Sequence, residues 1–134
     1  MSDGTRDILL VEDSDPIRTA FTILLEDAGY HVRGAGTGGE ALRLATERLP
    51  DLVILDMGLP DMTGIQVVQR LKADPVTASA PVVALTGRDE DRDRRACFAA
   101  GCAAYWVKPV DTHRLVEAIP GFMAGEPQGI GNRE

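Results

Sequence analysis

Four aliphatic residues stand in a row at Leu52-Val53-Ile54-Leu55, with Asp51 before them and Asp56 after them. A strand with one face in water alternates apolar and polar side chains. This run does not alternate, so it asks for cover on both faces, as in a parallel sheet layered by helices. Ile8-Leu9-Leu10-Val11, Val82-Val83-Ala84-Leu85 and Ala104-Tyr105-Trp106-Val107 are three further short strand-like runs, and residues 30–35 form a weaker one.

Helical patterning fills the gaps between them. Ile17, Ala20, Phe21, Leu24, Leu25 and Ala28 recur at helical spacing. Asp15-Pro16 reads as an N-cap followed by proline at the first helical position, and Gly29 as the stop. Thr37-x-x-Glu40 predicts a capping box for a second helix. A third helix is expected over 65–73 and a fourth over 90–100, stopped by Gly101. A fifth begins near Asp111 or Thr112 and runs at least to Ile119, where Pro120 is expected to cut it short. Five alternations of strand and helix predict an α/β fold, a doubly wound parallel five-stranded sheet with right-handed crossovers. One domain is expected over 7–120, with the glycine-rich 121–134 as a flexible tail.

The 134 residues suit one such domain, and 44% hydrophobic content suffices for its core. A net charge of −7 argues against a protein that grips nucleic-acid phosphates, which needs a basic footprint. No basic segment leads into an apolar stretch at the start, and no apolar run approaches the roughly 18 residues of a membrane span. A cytoplasmic protein with no membrane partner is expected. Cys97 and Cys102 lie five apart on a predicted helix and would not share a face. They are expected to be separate thiols in a reducing compartment rather than a disulfide.

The strand ends carry the chemistry. In an open parallel sheet, ligands bind beyond the carboxyl ends of the strands. Those ends are Glu12 and Asp13, Asp56, Thr86, and Lys108: three carboxylates, a hydroxyl and an ammonium on one edge. Clustered carboxylates repel one another unless a cation joins them, and an all-oxygen set with room for water suits Mg²⁺. A carboxylate there can attack phosphorus, with Lys108 and Thr86 holding phosphoryl oxygens. Asp15 lies outside this group and is assigned to the helix cap.

Taken together, Leu9-Leu10-Val11-Glu12-Asp13, the stretch from Pro50 to Gly64, Pro81 through Thr86, and Tyr105-Trp106-Val107-Lys108-Pro109 closely resemble the receiver domain of two-component response regulators over about residues 7–120. The resemblance implies the flavodoxin-like strand order 2-1-3-4-5. It implies that Asp56 is the phosphoacceptor, that Asp13, Asp56 and the backbone carbonyl of Gly58 bind Mg²⁺, and that Glu12 acts through a metal-bound water. Thr86 would bond the phosphoryl group and Tyr105 would act as the rotameric switch. Lys108 would pair with phosphoryl oxygens, and the Lys108-Pro109 peptide would be cis. The implied donor is a phosphohistidine on a histidine kinase or histidine phosphotransfer protein, and the implied output is a switched surface that meets a protein effector. Such a chain catalyses its own phosphoryl transfer and slow hydrolysis and is otherwise no enzyme. The family's homodimer face, of fourth helix, fifth strand and fifth helix, would be altered by an early stop at Pro120. Two positions that tune phosphoryl lifetime in the family are held here by Gly58, which has no side chain to hinder an attacking water, and by bulky, basic Arg88.

Competing readings remain. Gly34-x-Gly36-x-x-Gly39 matches a dinucleotide fingerprint, but that reading leaves Glu12, Asp13, Thr86 and Lys108 unexplained. A phosphohydrolase with an aspartyl intermediate would carry a second Asp two residues after the nucleophile, where Gly58 stands. The mixed charges of residues 88–95 read as a solvated helix start, and His31 and His113 as surface residues. The chain could also be a receiver-like interaction module that works without phosphorylation, or an excised receiver of a hybrid kinase.

Overall fold

The computed structural model describes residues 4–87, 91–124 and 129–130. Strand β1 (Asp7–Val11) leads to helix α1 (Asp15–Asp27), β2 (His31–Ala35) to α2 (Gly38–Glu47), and β3 (Leu52–Asp56) to α3 (Gly64–Ala73). β4 (Val82–Thr86) leads to α4 (Asp91–Ala100), and β5 (Ala104–Val107) to α5 (Thr112–Met123). A two-residue strand, β6 (Gly129–Ile130), follows. All strands pair in parallel, in the order β2-β1-β3-β4-β5-β6. The predicted order of five strands is present, and β6 is an addition that no apolar run predicts.

The sheet divides two apolar layers. Leu9, Val11, Val53, Leu55, Val82, Ala84 and Tyr105 face α2, α3 and α4. Ile8, Leu10, Leu52, Ile54, Val83, Leu85 and Trp106 face α1 and α5. Every residue of β1, β3 and β4 is buried, which is why these runs do not alternate. Burying one aliphatic side chain is worth about 1.5–3 kcal/mol, and a one-residue slip would exchange the two layers along a whole strand. Register is therefore firmly held.

Local expectations are corrected in four places. Ser14, not Asp15, caps α1: its side chain accepts from the Ile17 amide, while Asp15 sits in the first turn and pairs with Arg18. The box on α2 is half formed, since Thr37 accepts from the Glu40 amide but Glu40 reaches past it to the Gly36 amide, at 2.9 Å. The complete box is on α3, between Thr63 and Gln66. Pro120 does not end α5. It lies on the exposed side, and burial of Phe122 carries the helix on to Met123, past the boundary expected at 120. The predicted tail also holds β6, while its residues 125–128 and 131–134, together with Arg88, lie outside the described residues.

Two helix-terminating glycines have backbones only glycine adopts readily. Gly29 (φ 100°) follows α1 and Gly101 (φ 117°) follows α4. In each, the amide one residue beyond the glycine reaches five residues back, Tyr30 to Leu25 and Cys102 to Cys97. The glycine's own amide bonds the carbonyl three back. This paired closure is the Schellman motif.

Candidate functional site

Parallel register brings the carboxyl ends of the strands to one edge: Val11 stands beside Leu55, Asp56 beside Leu85 and Thr86 beside Val107. Glu12 and Asp13 follow β1, Asp56 ends β3, Thr86 ends β4 and Lys108 follows β5. Carboxylate oxygens of Glu12, Asp13 and Asp56 lie within 4.8 Å of one another. Lys108 Nζ donates to Asp56 Oδ1 at 3.0 Å, and the Gly58 amide donates to the same oxygen at 3.1 Å. The Lys108 amide donates to the Thr86 carbonyl at 2.7 Å, which ties the two strand ends together across a cis Lys108–Pro109 peptide.

Charge in this cluster is unbalanced. Three carboxylates meet one ammonium. Arg18 does not correct this, because its guanidinium bonds Asp15 and the backbone oxygen of Glu12. Glu12 and Asp56 are buried and Asp13 is exposed. Burial pushes the Glu12 carboxyl above its ordinary range and the charge of Asp56 adds to this, against the Ser14 amide that bonds it. A hard cation with oxygen ligands relieves that repulsion, so the donor set fits Mg²⁺.

Thr86 and Tyr105 are both buried and line one cavity with Met57, Ala96 and Gly64. Tyr105 packs against Phe98 of α4, with ring centroids 6.4 Å apart. The structure thus brings Glu12, Asp13, Asp56 and Lys108 into one cluster and sets Thr86 and Tyr105 on the space behind it.

The glycine fingerprint is accounted for by packing. Gly34 and Gly36 lie against Arg18, where an added Cβ would stand 3.1 and 3.4 Å from its side chain, and a Cβ on Gly39 would stand 3.5 Å from the Asp61 carboxylate. The α2 amides of Gly38 and Gly39 donate to Asp61 at 2.8 and 2.9 Å, so a carboxylate fills the place where a dinucleotide phosphate would sit. Those two amides hold the Asp61 carboxyl below its ordinary range.

Sequence reasoning missed a second carboxylate centre at the opposite end of β1. Asp7, nearly buried, accepts from Arg33 at 2.6 Å and from Arg48 at 2.9 Å, and its Oδ1 lies 2.8 Å from His31 Nδ1. An acid opening an apolar run, with Arg33 and His31 on the neighbouring strand, was the available signal. Here cations saturate one acid. Burial pushes the Asp7 carboxyl up, and the bonds from Arg33, His31 and Arg48 outweigh it and hold it below the usual range.

A doubly wound parallel sheet with clustered acids and a lysine at its carboxyl edge defines a class of α/β proteins built to handle a cation and an anion at that edge. The response regulator receiver domain matches residues 8–120, and the chain belongs to that family. It is 34% identical over 119 residues to the polar-differentiation response regulator DivK of Brucella ovis, covering 89% of this chain and 97% of that protein. It is also 34% identical to protein PilH of Pseudomonas aeruginosa over 118 residues, covering 88% and 98%. Among solved structures it is similar to the chemotaxis protein CheY4 of Vibrio cholerae, with TM-score 0.83, 29% identity and coverage of 89% and 99%. A LuxR-family two-component response regulator from an Aurantimonas species gives 0.86, 30%, 96% and 91%. Among the described residues, no helix is long and apolar enough to cross a membrane.

Proposed function

We propose that this chain is a cytoplasmic phosphoacceptor of a two-component relay, taking a phosphoryl group from a partner's phosphohistidine onto Asp56. The observation that carries this reading is the Asp56 carboxylate, bonded to Lys108 and gathered with Glu12 and Asp13. One Asp56 oxygen attacks phosphorus in line as the nitrogen–phosphorus bond of the donor breaks. Lys108 offsets charge on the transferred group, and the Gly58 amide keeps the acceptor oxygens oriented. Glu12, Asp13, Asp56 and the Gly58 carbonyl would hold Mg²⁺, which when bound supplies positive charge against the carboxylates and the phosphoryl oxygens. Thr86 then turns toward the phosphoryl group, and Tyr105 moves in the cavity they share, biasing the α4–β5–α5 surface toward a protein effector or a second copy. Turnover is limited to self-phosphorylation and slow hydrolysis.

A small phosphodonor such as acetyl phosphate tests this directly. With Mg²⁺ the intact mass is expected to rise by about 80 Da, and with chelator it should not. No gain with either, under conditions that label a known receiver, would overturn the reading in favour of a module that works without phosphorylation.

The donor's approach is also testable. Beside Lys108 runs a groove lined by Ile17, Phe21, Leu85, Pro109 and Val110, with Ile17 53% exposed. An apolar residue left that open beside the acceptor suits a docking helix. Ile17→Asp is expected to slow transfer from a phosphohistidine protein by about thirtyfold, the ~2 kcal/mol of an interface hot spot, while acetyl phosphate labels it normally. Equal slowing with both donors would place the defect at Asp56 and refute docking in this groove.

A further inference from the structure

The closure at the end of α4 brings two thiols together. In a Schellman motif the residue after the glycine and the residue five before it turn their side chains toward one another. After α1 those positions hold Leu25 and Tyr30; after α4 they hold Cys97 and Cys102. The expectation that five-residue spacing keeps the cysteines on different faces fails because Gly101 leaves the helix with positive φ and turns the chain back. Both are free thiols, with their sulfurs 2.7 Å apart, against about 2.0 Å in a disulfide bond.

The surroundings suit oxidation of the pair rather than of one sulfur. Cys97 is fully buried and Cys102 keeps 7% exposure, so a small oxidant has one narrow approach. The Cys102 thiol bonded to it pulls Cys97 below the ordinary thiol range, and the same contact together with burial pushes Cys102 up. The Lys72 stem lies over Gly101, and its ammonium, held by the Ala78 and Ala80 carbonyls, partly offsets the upward push on Cys102. Two adjacent thiols with a cation close by are the arrangement of a resolvable redox pair.

We propose that Cys97 and Cys102 form a reversible intramolecular disulfide under hydroperoxide stress, a modification site separate from Asp56 that clasps the end of α4 to the start of β5. One thiolate attacks the peroxide, breaking its O–O bond, releasing hydroxide and leaving a sulfenic acid. The second sulfur displaces water from it as the S–S bond forms and its own proton leaves. Two thiols and one hydrogen peroxide give one disulfide and two waters. A thiol reductant reverses the step. Because α4 also carries Ala96, on the cavity shared by Thr86 and Tyr105, the clasp acts on the element that borders the switch.

The test needs only the intact chain and is independent of phosphorylation. The protein is treated with hydrogen peroxide, denatured, and labelled with N-ethylmaleimide. The expected result is a mass lower by about 2 Da with no label, restored to two labels by dithiothreitol, and a peptide map linking Cys97 to Cys102. Cys97→Ala and Cys102→Ala should each lose the 2 Da change. The inference is overturned if the wild-type chain still takes two labels at peroxide levels that oxidise a short dithiol peptide. Oxygen additions without the 2 Da loss, or linked dimers in its place, overturn it as well.

Discussion

Asp56→Asn is expected to lose the phosphoryl gain completely and yet be harder to unfold when no divalent cation is present. The amide keeps an oxygen for Lys108 Nζ and for the Gly58 amide, so the local geometry has reason to persist. What disappears is the nucleophile and one charge of a cluster that holds three carboxylates against one ammonium. Relieving that repulsion beside buried Glu12 should stabilise the fold by about 1 kcal/mol, the size of a one-unit shift in a neighbouring carboxyl. Intact mass after acetyl phosphate checks the first half, and urea midpoints in chelator check the second. Stoichiometric labelling of the Asn variant would move the acceptor elsewhere. A fall in its midpoint would mean that the cluster does not strain the fold.

Asp7→Ala should have the largest effect on stability, about 3 kcal/mol, because it leaves the Arg33 and Arg48 guanidinium groups without the acid that orders them. Arg33 is the more damaging loss: it is well covered and also bonds the carbonyls of Leu44 and Arg48, so Asp7, β2 and the end of α2 are joined through it. The pH dependence has a definite sign. The Asp7 carboxyl lies below its free value of 3.8 in the fold. Its contribution is therefore complete above that value and disappears as pH falls through the folded value. Wild type and variant should differ fully at pH 7 and converge in acid. Equal urea midpoints at neutral pH would show that the cluster is decorative, and Asp7→Asn, which keeps the shape, separates charge from packing.

These two carboxylates show where sequence reasoning reaches and where it stops. The strand ends could be placed because apolar runs mark their own limits, and parallel pairing then puts all carboxyl ends on one edge. Asp7 is hard to place from sequence because its partners, Arg33 and Arg48, are distant, and only the register of β1 with β2, which sets His31 beside Asp7, brings Arg33 within reach. Caps were misassigned by one residue at Ser14 because serine and aspartate are equally good oxygen acceptors, and the entry angle of the chain decides between them. Pro120 is a poor guide to the end of α5 because Phe122, just beyond it in the helix, is fully buried and anchors the last turn. The cysteines were separated by treating Cys102 as helical when Gly101, read correctly as the stop, already turns the chain back.

Tyr105 and Trp106 are neighbours on β5 that face opposite layers of the interior. Trp106 is the single tryptophan of the chain, and its indole nitrogen is buried with no hydrogen-bond partner among the described residues. The molecule therefore carries one optical gauge, mounted on the far side of the sheet from Tyr105. Its emission belongs to an apolar enclosure, and any displacement of β5 that admits water or a bonding partner reddens it. A displacement of β5 or of Tyr105 can thus be watched from the opposite layer, in the native chain and without a dye.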